Sequence, residues 1–380
     1  MDVLINYGIT FKKCNKQSYS GYNHKTLLSY LSKNIIEKNK ETTMALVAEL
    51  HCSSYYKDID NIIIQLFSQY FIIHNITFAY FIDKYFYKIH DIKKTIPKSQ
   101  HNNALINSNE IRNIYCTIFS TFLNSQSKNL SIKLENKCHL PEFYLQHSNV
   151  NTYHNIFDNN NNQLSPLLSK GIREILFFLD NYNLEKKNIN VIEKIIYWIF
   201  WCYKIESLEK KINKQKYSFL SKYKSLKNIK HNHLWEFFIW HKIWQKNEKN
   251  NFNNKILLKS LNNLFFHNYS HSKLKERAPI LAISILLSNS NSHIHISRNI
   301  NKNEIFTCIN SNKFYKNIQL EENNDENYLK IYNNYHNIHQ KDTELNKKIY
   351  KKNKMDIKMN FLKNYNPTIS KNKNILEYIK

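Results

Sequence analysis

Apolar side chains recur along most of this chain with the spacing of one face of an α-helix. The clearest stretch covers residues 41–82. Its apolar positions advance in the three- and four-residue steps of a buried helix face: Ile59, Ile62, Ile63, Leu66, Phe67, Tyr70 and Phe71. Ser53 or Ser54 is placed to end the preceding helix, and Asp58 is placed to cap the next one. The pattern therefore predicts a helical hairpin on which the other helices pack.

The same spacing predicts helices on both sides of this hairpin. They cover residues 26–36, 110–123, 190–208, 256–266 and 279–287, and another helix starts at Pro166. A further helix has an apolar face made of Leu234, Phe237, Phe238, His241 and Trp244. The polar stretch 91–109, which contains Pro97, is interpreted as a loop.

The scarcity of turn residues supports a helical fold. Only three glycines and five prolines occur in 380 residues. Phosphate-binding loops need clustered glycines and tight β-hairpins need pairs such as Asn-Gly, so neither fits this chain. We predict an all-α, multi-helix bundle in two lobes, residues 1–125 and 164–290. An Asn-rich linker (126–163) joins the lobes, and a low-complexity basic tail (291–380) follows. We expect the tail to be partly disordered, with a short strand at 304–309.

The chain is strongly basic, with a formal charge of +25 and a pI near 9.5. This balance favours nucleic acid or an anionic membrane surface as a partner. The densest basic segment has no acid between Glu209 and Glu236. Its lysines are Lys210, Lys211, Lys214, Lys216, Lys222, Lys224, Lys227 and Lys230. Tyr217, Phe219 and Tyr223 lie among them, so ammonium groups could meet phosphates while the rings stack on bases.

A second basic group, Lys273, Lys275 and Arg277, precedes Pro279. Arginine is rare in this chain, so Arg277 indicates a specific role such as a phosphate contact or a helix cap. A plainer interpretation stays open for the segment from Lys210 to Lys230. The enrichment in Lys, Asn and Ile follows the codons of an AT-rich genome, and the lysines would then mark solvated loops.

Few residues point to catalysis or to metal binding. The six cysteines are far apart and form no Cys-x-x-Cys, which disfavours a zinc ribbon and favours a reducing compartment. Glu49 and His51 would point in different directions from a helix, so His51 is interpreted as a packing residue. His267 and His271 could share a helical face but lack a third ligand. We expect no catalytic residue, metal or cofactor, although a site assembled from distant residues stays open.

Location is predicted from the N-terminus and the uncharged run 61–82. The N-terminus lacks the basic and apolar regions of a signal peptide, so we expect an intracellular protein that is not secreted. The uncharged run is long enough to span a bilayer, but its polar residues and its amphipathicity favour a buried helix. All five tryptophans lie between residues 198 and 244 and are interpreted as core or interface residues.

Three blocks, residues 41–53, 197–201 and 273–287, resemble segments of uncharacterised helical proteins encoded by large nucleocytoplasmic DNA viruses. The similarity spans about residues 25–290 and leaves the tail outside. In that pattern a glycine follows the serine at position 53, whereas this chain has Ser54, a difference that bears on the turn geometry. The resemblance implies a viral, intracellular helical protein and supplies no activity.

Two hypotheses on function follow. The first is a non-enzymatic viral accessory protein of replication, transcription or packaging that binds DNA or RNA through its basic surface. It would act in the host cytoplasm or nucleus, at the viral factory, with other viral proteins as further partners. The alternative is a structural or scaffold protein that uses the aromatic-rich helix around residues 235–244 as its interface.

Overall fold

The computed structural model describes most of the helical part of the chain. The described residues are 9, 14, 16–97, 101–130, 166–184, 189–213, 234–248, 251–290, 294–296, 313–316 and 318. Within them the first six helices are α1 (His24–Ile36), α2 (Lys40–Cys52), α3 (Tyr56–Leu66), α4 (Phe78–Thr95), α5 (His101–Ile106) and α6 (Asn109–Asn124). The next five are α7 (Pro166–Asn181), α8 (Ile189–Asn213), α9 (Leu234–Asn247), α10 (Phe252–Phe266) and α11 (Leu274–Ser288). No strand occurs among the described residues, and the predicted all-α class is confirmed.

The predicted hairpin is formed by α2 and α3, and its turn differs from the prediction at one end. Ser53, one of the two residues predicted to end α2, is its C-cap. The proposed cap at Asp58 is wrong, because α3 begins at Tyr56 and places Asp58 within its first turn. The Asp58 carboxylate there lies 3.2 Å from the His24 ring of α1. A negative charge in the first turn still complements the helix dipole.

The end of α3 continues into a π-helical turn, Phe67–Phe71. The wider turn keeps Phe67 and Phe71 buried, so the predicted apolar face persists through it. The backbone carbonyls of Gln69 and Tyr70 accept hydrogen bonds from the amides of Leu130 and Lys128. The segment after α6 is thereby fixed along this turn.

The interpretation of residues 91–109 as a loop is wrong in part. Helix α4 continues to Thr95 and stops before Pro97, whose ring is incompatible with a helix interior. The short helix α5 then follows and buries Leu105 and Ile106. Two apolar residues in a polar stretch are enough to hold one helical turn when the rest of the bundle covers them.

Helix α11 is the most deeply enclosed element of the described structure. Every residue from Arg277 to Ser288 is buried, as is Leu274. It packs on α7, α8, α9 and α10, and also on α3 and its π-turn. The predicted start at Pro279 is wrong, because the helix begins five residues earlier. Pro279 has no amide hydrogen, so the backbone carbonyl of Lys275 lacks its usual helical donor. Lys275 is exposed, and water can donate to this carbonyl instead.

Helix α9 exists as predicted, but with a different face toward the core. The buried apolar positions are Trp235, Ile239, Trp240 and Ile243, whereas His241 is exposed. The aromatic residues are nearly continuous along this helix, so the apolar pattern does not define a single register. The tryptophans determine which side of α9 faces the core, because their side chains bury the largest apolar area.

The two predicted lobes share one hydrophobic core. Helices α4 and α10 pack on each other, and α11 contacts α3, so the core runs without a break from Leu27 to Leu287. The division into lobes stays a prediction. Most of the linker and of the basic tail lies outside the described residues, as does the strand expected at 304–309.

Candidate functional site

The densest predicted basic segment falls largely outside the described residues. Lys210 and Lys211 belong to the last turn of α8, and their side chains are not described. Lys214, Lys216, Lys222, Lys224, Lys227 and Lys230 lie between α8 and α9, also outside the described part. The role assigned to these lysines stays a prediction.

The second predicted group does not form one surface. Arg277 is only 1% exposed, and its Nη1 donates to the carbonyl oxygens of Leu264, at 3.2 Å, and Phe265, at 2.5 Å. These carbonyls belong to the last turn of α10, so Arg277 is a C-terminal helix cap, one of the two roles suggested by its rarity. A guanidinium in this position does not reach a phosphate at the surface.

Lys273 and Lys275 differ from Arg277 and from each other. Lys275 is exposed. The Lys273 ammonium is half-buried and donates to Asn61 Oδ1, at 2.5 Å, and to the Asn268 carbonyl oxygen, at 2.7 Å. Burial, together with the charge of nearby Arg277, lowers the pKa of Lys273 to about 8. Lys273 therefore ties α3 to the segment before α11.

Internal capping by basic residues is a recurring feature of this fold. Arg112, on α6, donates through Nε to the carbonyl oxygen of Ile106, the last residue of α5, at 2.8 Å. The Lys38 ammonium reaches the Phe122 carbonyl oxygen, at 2.7 Å, and the Ser125 carbonyl oxygen, at 2.5 Å, beyond the end of α6. Part of the positive charge thus compensates helix C-termini and is not presented to a partner.

A surface that combines lysines with exposed rings lies where α4 packs beside α10. On α4, steps of three and four residues place Tyr80, Lys84, Tyr87 and Lys88 on one side. On α10, the exposed residues are Phe252, Lys255, Lys259 and Asn263, again on one side. We call these eight residues the α4–α10 face.

The two halves of this face meet at Asp83. Asn263 Nδ2 donates to both carboxylate oxygens of Asp83, at 3.2 and 3.0 Å. One turn further along both helices, the Phe86 ring stacks on the ring of His267, with 4.5 Å between centroids. Burial raises the pKa of Asp83, while hydrogen bonds and the nearby charge of Lys259 act in the opposite direction. The exposed sides of α4 and α10 are therefore adjacent.

Ion pairing divides the lysines of the α4–α10 face into two kinds. Lys88 pairs with Glu110 of α6, at 2.5 Å. Lys84, Lys255 and Lys259 are exposed and form no ion pair within the described residues. The sequence interpretation missed this face because each helix contributes only four of its residues, and the two groups are far apart in sequence. The detectable signal was the Lys and Tyr spacing opposite the apolar stripe of α4.

A buried polar cluster surrounds His51. Its ring is fully buried, with Nε2 3.2 Å from the Leu105 carbonyl oxygen and Nδ1 3.2 Å from the Tyr315 hydroxyl. Burial, together with the charge of Arg112, lowers the pKa of His51 to about 3. The ring is therefore neutral at physiological pH, and the prediction that His51 is a packing residue is confirmed.

A second polar cluster lies among the tryptophans. Trp235 Nε1 donates to Glu206 Oε2, at 3.0 Å, and the Tyr269 hydroxyl donates to Glu236 Oε2, at 2.7 Å. Burial raises the pKa of Tyr269, and so does the adjacent Glu236 carboxylate. The phenol therefore stays protonated and acts as a donor to a buried carboxylate, an arrangement that satisfies polar groups inside a core.

The described residues form neither a group of three metal ligands nor a helix that could span a membrane. Within the part of the chain that the structure describes, no three His, Cys, Asp or Glu side chains are grouped as metal ligands. Asp60 instead accepts from the Tyr115 hydroxyl, at 3.2 Å, and lies 3.4 Å from His267 Nε2. None of the described helices has the length and apolar character needed to cross a bilayer.

Comparison with protein-family models, curated proteins and solved structures gave no match. The resemblance to proteins of large DNA viruses therefore stays a prediction. The α4–α10 face is the described surface on which an assignment of function can be built.

Proposed function

We propose that this protein is a non-enzymatic accessory protein that binds nucleic acid through exposed lysines, in viral replication, transcription or packaging. The observation that carries the proposal is the α4–α10 face. Lys84, Lys255 and Lys259 are exposed there without ion pairs in the described residues, beside exposed aromatic rings. Clustered ammonium groups release counterions from a phosphate backbone, which gives affinity without base recognition.

The undescribed lysines between α8 and α9 are a second element of the proposal. Their charge adds to the total of +25, and their interleaved tyrosines repeat the pattern of the α4–α10 face. The viral, intracellular setting rests on the resemblance of residues 25–290 and is part of the same proposal.

Salt-dependent binding of the full chain to DNA and RNA tests the proposal. The association constant is measured by fluorescence anisotropy at several salt concentrations. Its logarithm should fall linearly with the logarithm of the salt concentration. Replacing Lys84, Lys255 and Lys259 by alanine should reduce that slope by about 2 for single strands, at about 0.7 per lost phosphate contact.

A variant of equal charge provides the control. Lys25, Lys33 and Lys40 are exposed on α1 and at the start of α2, and their replacement by alanine removes the same three charges. This control should bind almost as the natural chain does. Equal losses in both variants would assign the effect to net charge, and no binding at low salt would overturn the proposal.

The scaffold alternative finds little support in the aromatic-rich helix α9. Trp235 and Trp240 are buried in the core, and Trp244 is half-buried. Aromatic residues that already fill the core offer little area to a partner.

A further inference from the structure

The two most exposed large apolar residues of the described chain belong to the α4–α10 face. Phe252 is 75% exposed and Tyr87 is 66% exposed. Phe252 stands one turn before Lys255 on α10, and Tyr87 stands one turn after Lys84 on α4. The ring of Tyr87 makes no ring contact within the described residues, and most of its surface is exposed to solvent.

Rings and ammonium groups alternate along this face. Tyr80 and Tyr87 lie seven residues apart on α4, or about 10 Å along the helix axis. Lys84 lies between them, and Lys259 is on the neighbouring helix near Asp83. A strand laid along α4 would therefore meet a ring, an ammonium group and a second ring in succession.

We infer that the α4–α10 face binds single-stranded nucleic acid, with Tyr87 stacking on a base and Lys84 and Lys259 contacting phosphates. The inference rests on the proposed function and narrows it to one class of ligand. In a duplex the flat sides of the bases are covered by their neighbours, so an exposed ring finds no partner there. In a single strand every base offers a flat side, and stacking does not depend on sequence.

Tyr87 also distinguishes this ligand from an acidic polypeptide. Lysines alone would attract either polyanion, but an open ring beside them adds affinity only where a flat partner is available. Phe252 extends the same argument to α10, since its ring lies at the start of the Lys255–Lys259 row.

The test compares Tyr87→Ala and Tyr87→Phe in the full chain, with single-stranded DNA, single-stranded RNA and duplex DNA of the same base composition as probes. The alanine variant should lose between about fivefold and about 150-fold in single-strand affinity, with an unchanged salt slope. The phenylalanine variant keeps the ring and should bind within about twofold of the natural chain. Duplex affinity should be weaker and insensitive to both changes.

Tyr182→Ala is the matched control. Tyr182 is 38% exposed and follows the C-terminus of α7, where its side chain packs on Phe178, and its loss should leave binding unchanged. Circular dichroism should show the same helix content in every variant, since Tyr87 is at the surface.

Three results would overturn the inference. If duplex and single strand bind equally and Tyr87→Ala has no effect, the face does not stack on bases, while the proposed function stands. Competition by poly-glutamate as effective as that by single-stranded DNA would assign the face to acidic polypeptides. Absence of binding to any nucleic acid at low salt would remove the inference and the proposed function together.

Discussion

The Nδ1 atom of His51 lies 3.2 Å from the hydroxyl of Tyr315, although 264 residues separate them in sequence. The Leu105 carbonyl, 3.2 Å from Nε2, can only accept a hydrogen bond, so Nε2 carries the ring proton. Nδ1 of the neutral ring then accepts from Tyr315. The guanidinium of Arg112 covers the Tyr315 ring at 4.5 Å. This contact fixes the helical turn 313–316 against α2 and α6.

The position of His51 predicts a dependence of stability on pH. Its pKa falls from 6.5 to about 3 on folding, because burial and Arg112 oppose the charged ring. Between these values the unfolded chain binds a proton that the folded chain does not, so stability decreases as pH falls. From pH 7 to pH 5 the loss from His51 alone should be about 2 kcal/mol. Urea unfolding followed by tryptophan fluorescence at both pH values measures it.

Two variants isolate this effect. His51→Gln has no titrating ring, so the stability difference between the natural chain and the variant should shrink by about 2 kcal/mol from pH 7 to pH 5. Tyr315→Phe removes only the hydroxyl and should cost about 1 kcal/mol while the pH dependence persists. A difference between the natural chain and His51→Gln that is the same at both pH values would contradict the assignment.

Local periodicity was enough to predict most of the helices, but it could not identify their partners. In α6, the predicted apolar positions Ile111, Tyr115, Ile118 and Phe122 all lie on the buried face, because apolar residues recur there in steps of three and four. The contact between His51 and Tyr315 has no local signal, because it depends on how distant segments return to α2. The α4–α10 face escaped prediction for the same reason.

The rarity of arginine predicted that Arg277 has a specific role, but not which role. Rarity indicated a specific role, but a phosphate contact and a helix cap were equally consistent with it. Only the position of the α10 C-terminus beside α11 distinguishes them, and this is a tertiary relationship. The register of α9 was undecidable in another way, because apolar residues on all sides leave no polar face to define it.

The cap at Arg277 predicts a loss of stability that is independent of ligand binding. Arg277→Met keeps the length of the side chain but leaves the carbonyls of Leu264 and Phe265 without their donor. Each unpaired buried group costs about 1–3 kcal/mol, so the total loss for the two carbonyls should be about 2–6 kcal/mol. Arg277→Lys should recover part of it, since an ammonium group still donates. Urea unfolding measures both variants.

Lys275→Met is the control for Arg277→Met. Lys275 lies two residues before Arg277 and carries the same charge, but its side chain is exposed. Lys275→Met should change stability by less than about 0.5 kcal/mol. If Arg277→Met were no more destabilising than this neighbour, the cap would have no energetic role. Nucleic-acid affinity of the folded Arg277 variants should equal that of the natural chain, in contrast to the lysine variants of the α4–α10 face.

Ser54 lies in the left-handed region of the backbone, with φ of 61°, at the turn between α2 and α3. Glycine adopts this conformation without the steric cost of a Cβ atom. Ser54→Gly should therefore stabilise the protein by about 0.5–1 kcal/mol, despite the greater freedom of glycine in the unfolded chain. The adjacent Ser53→Gly should instead destabilise by about 1–2 kcal/mol, because Ser53 Oγ accepts from the Tyr19 amide at 2.7 Å and donates to the Glu49 carbonyl oxygen at 2.6 Å. Thermal unfolding of the two variants in parallel measures these opposite shifts. A lower midpoint for Ser54→Gly would mean that the turn does not strain the serine backbone.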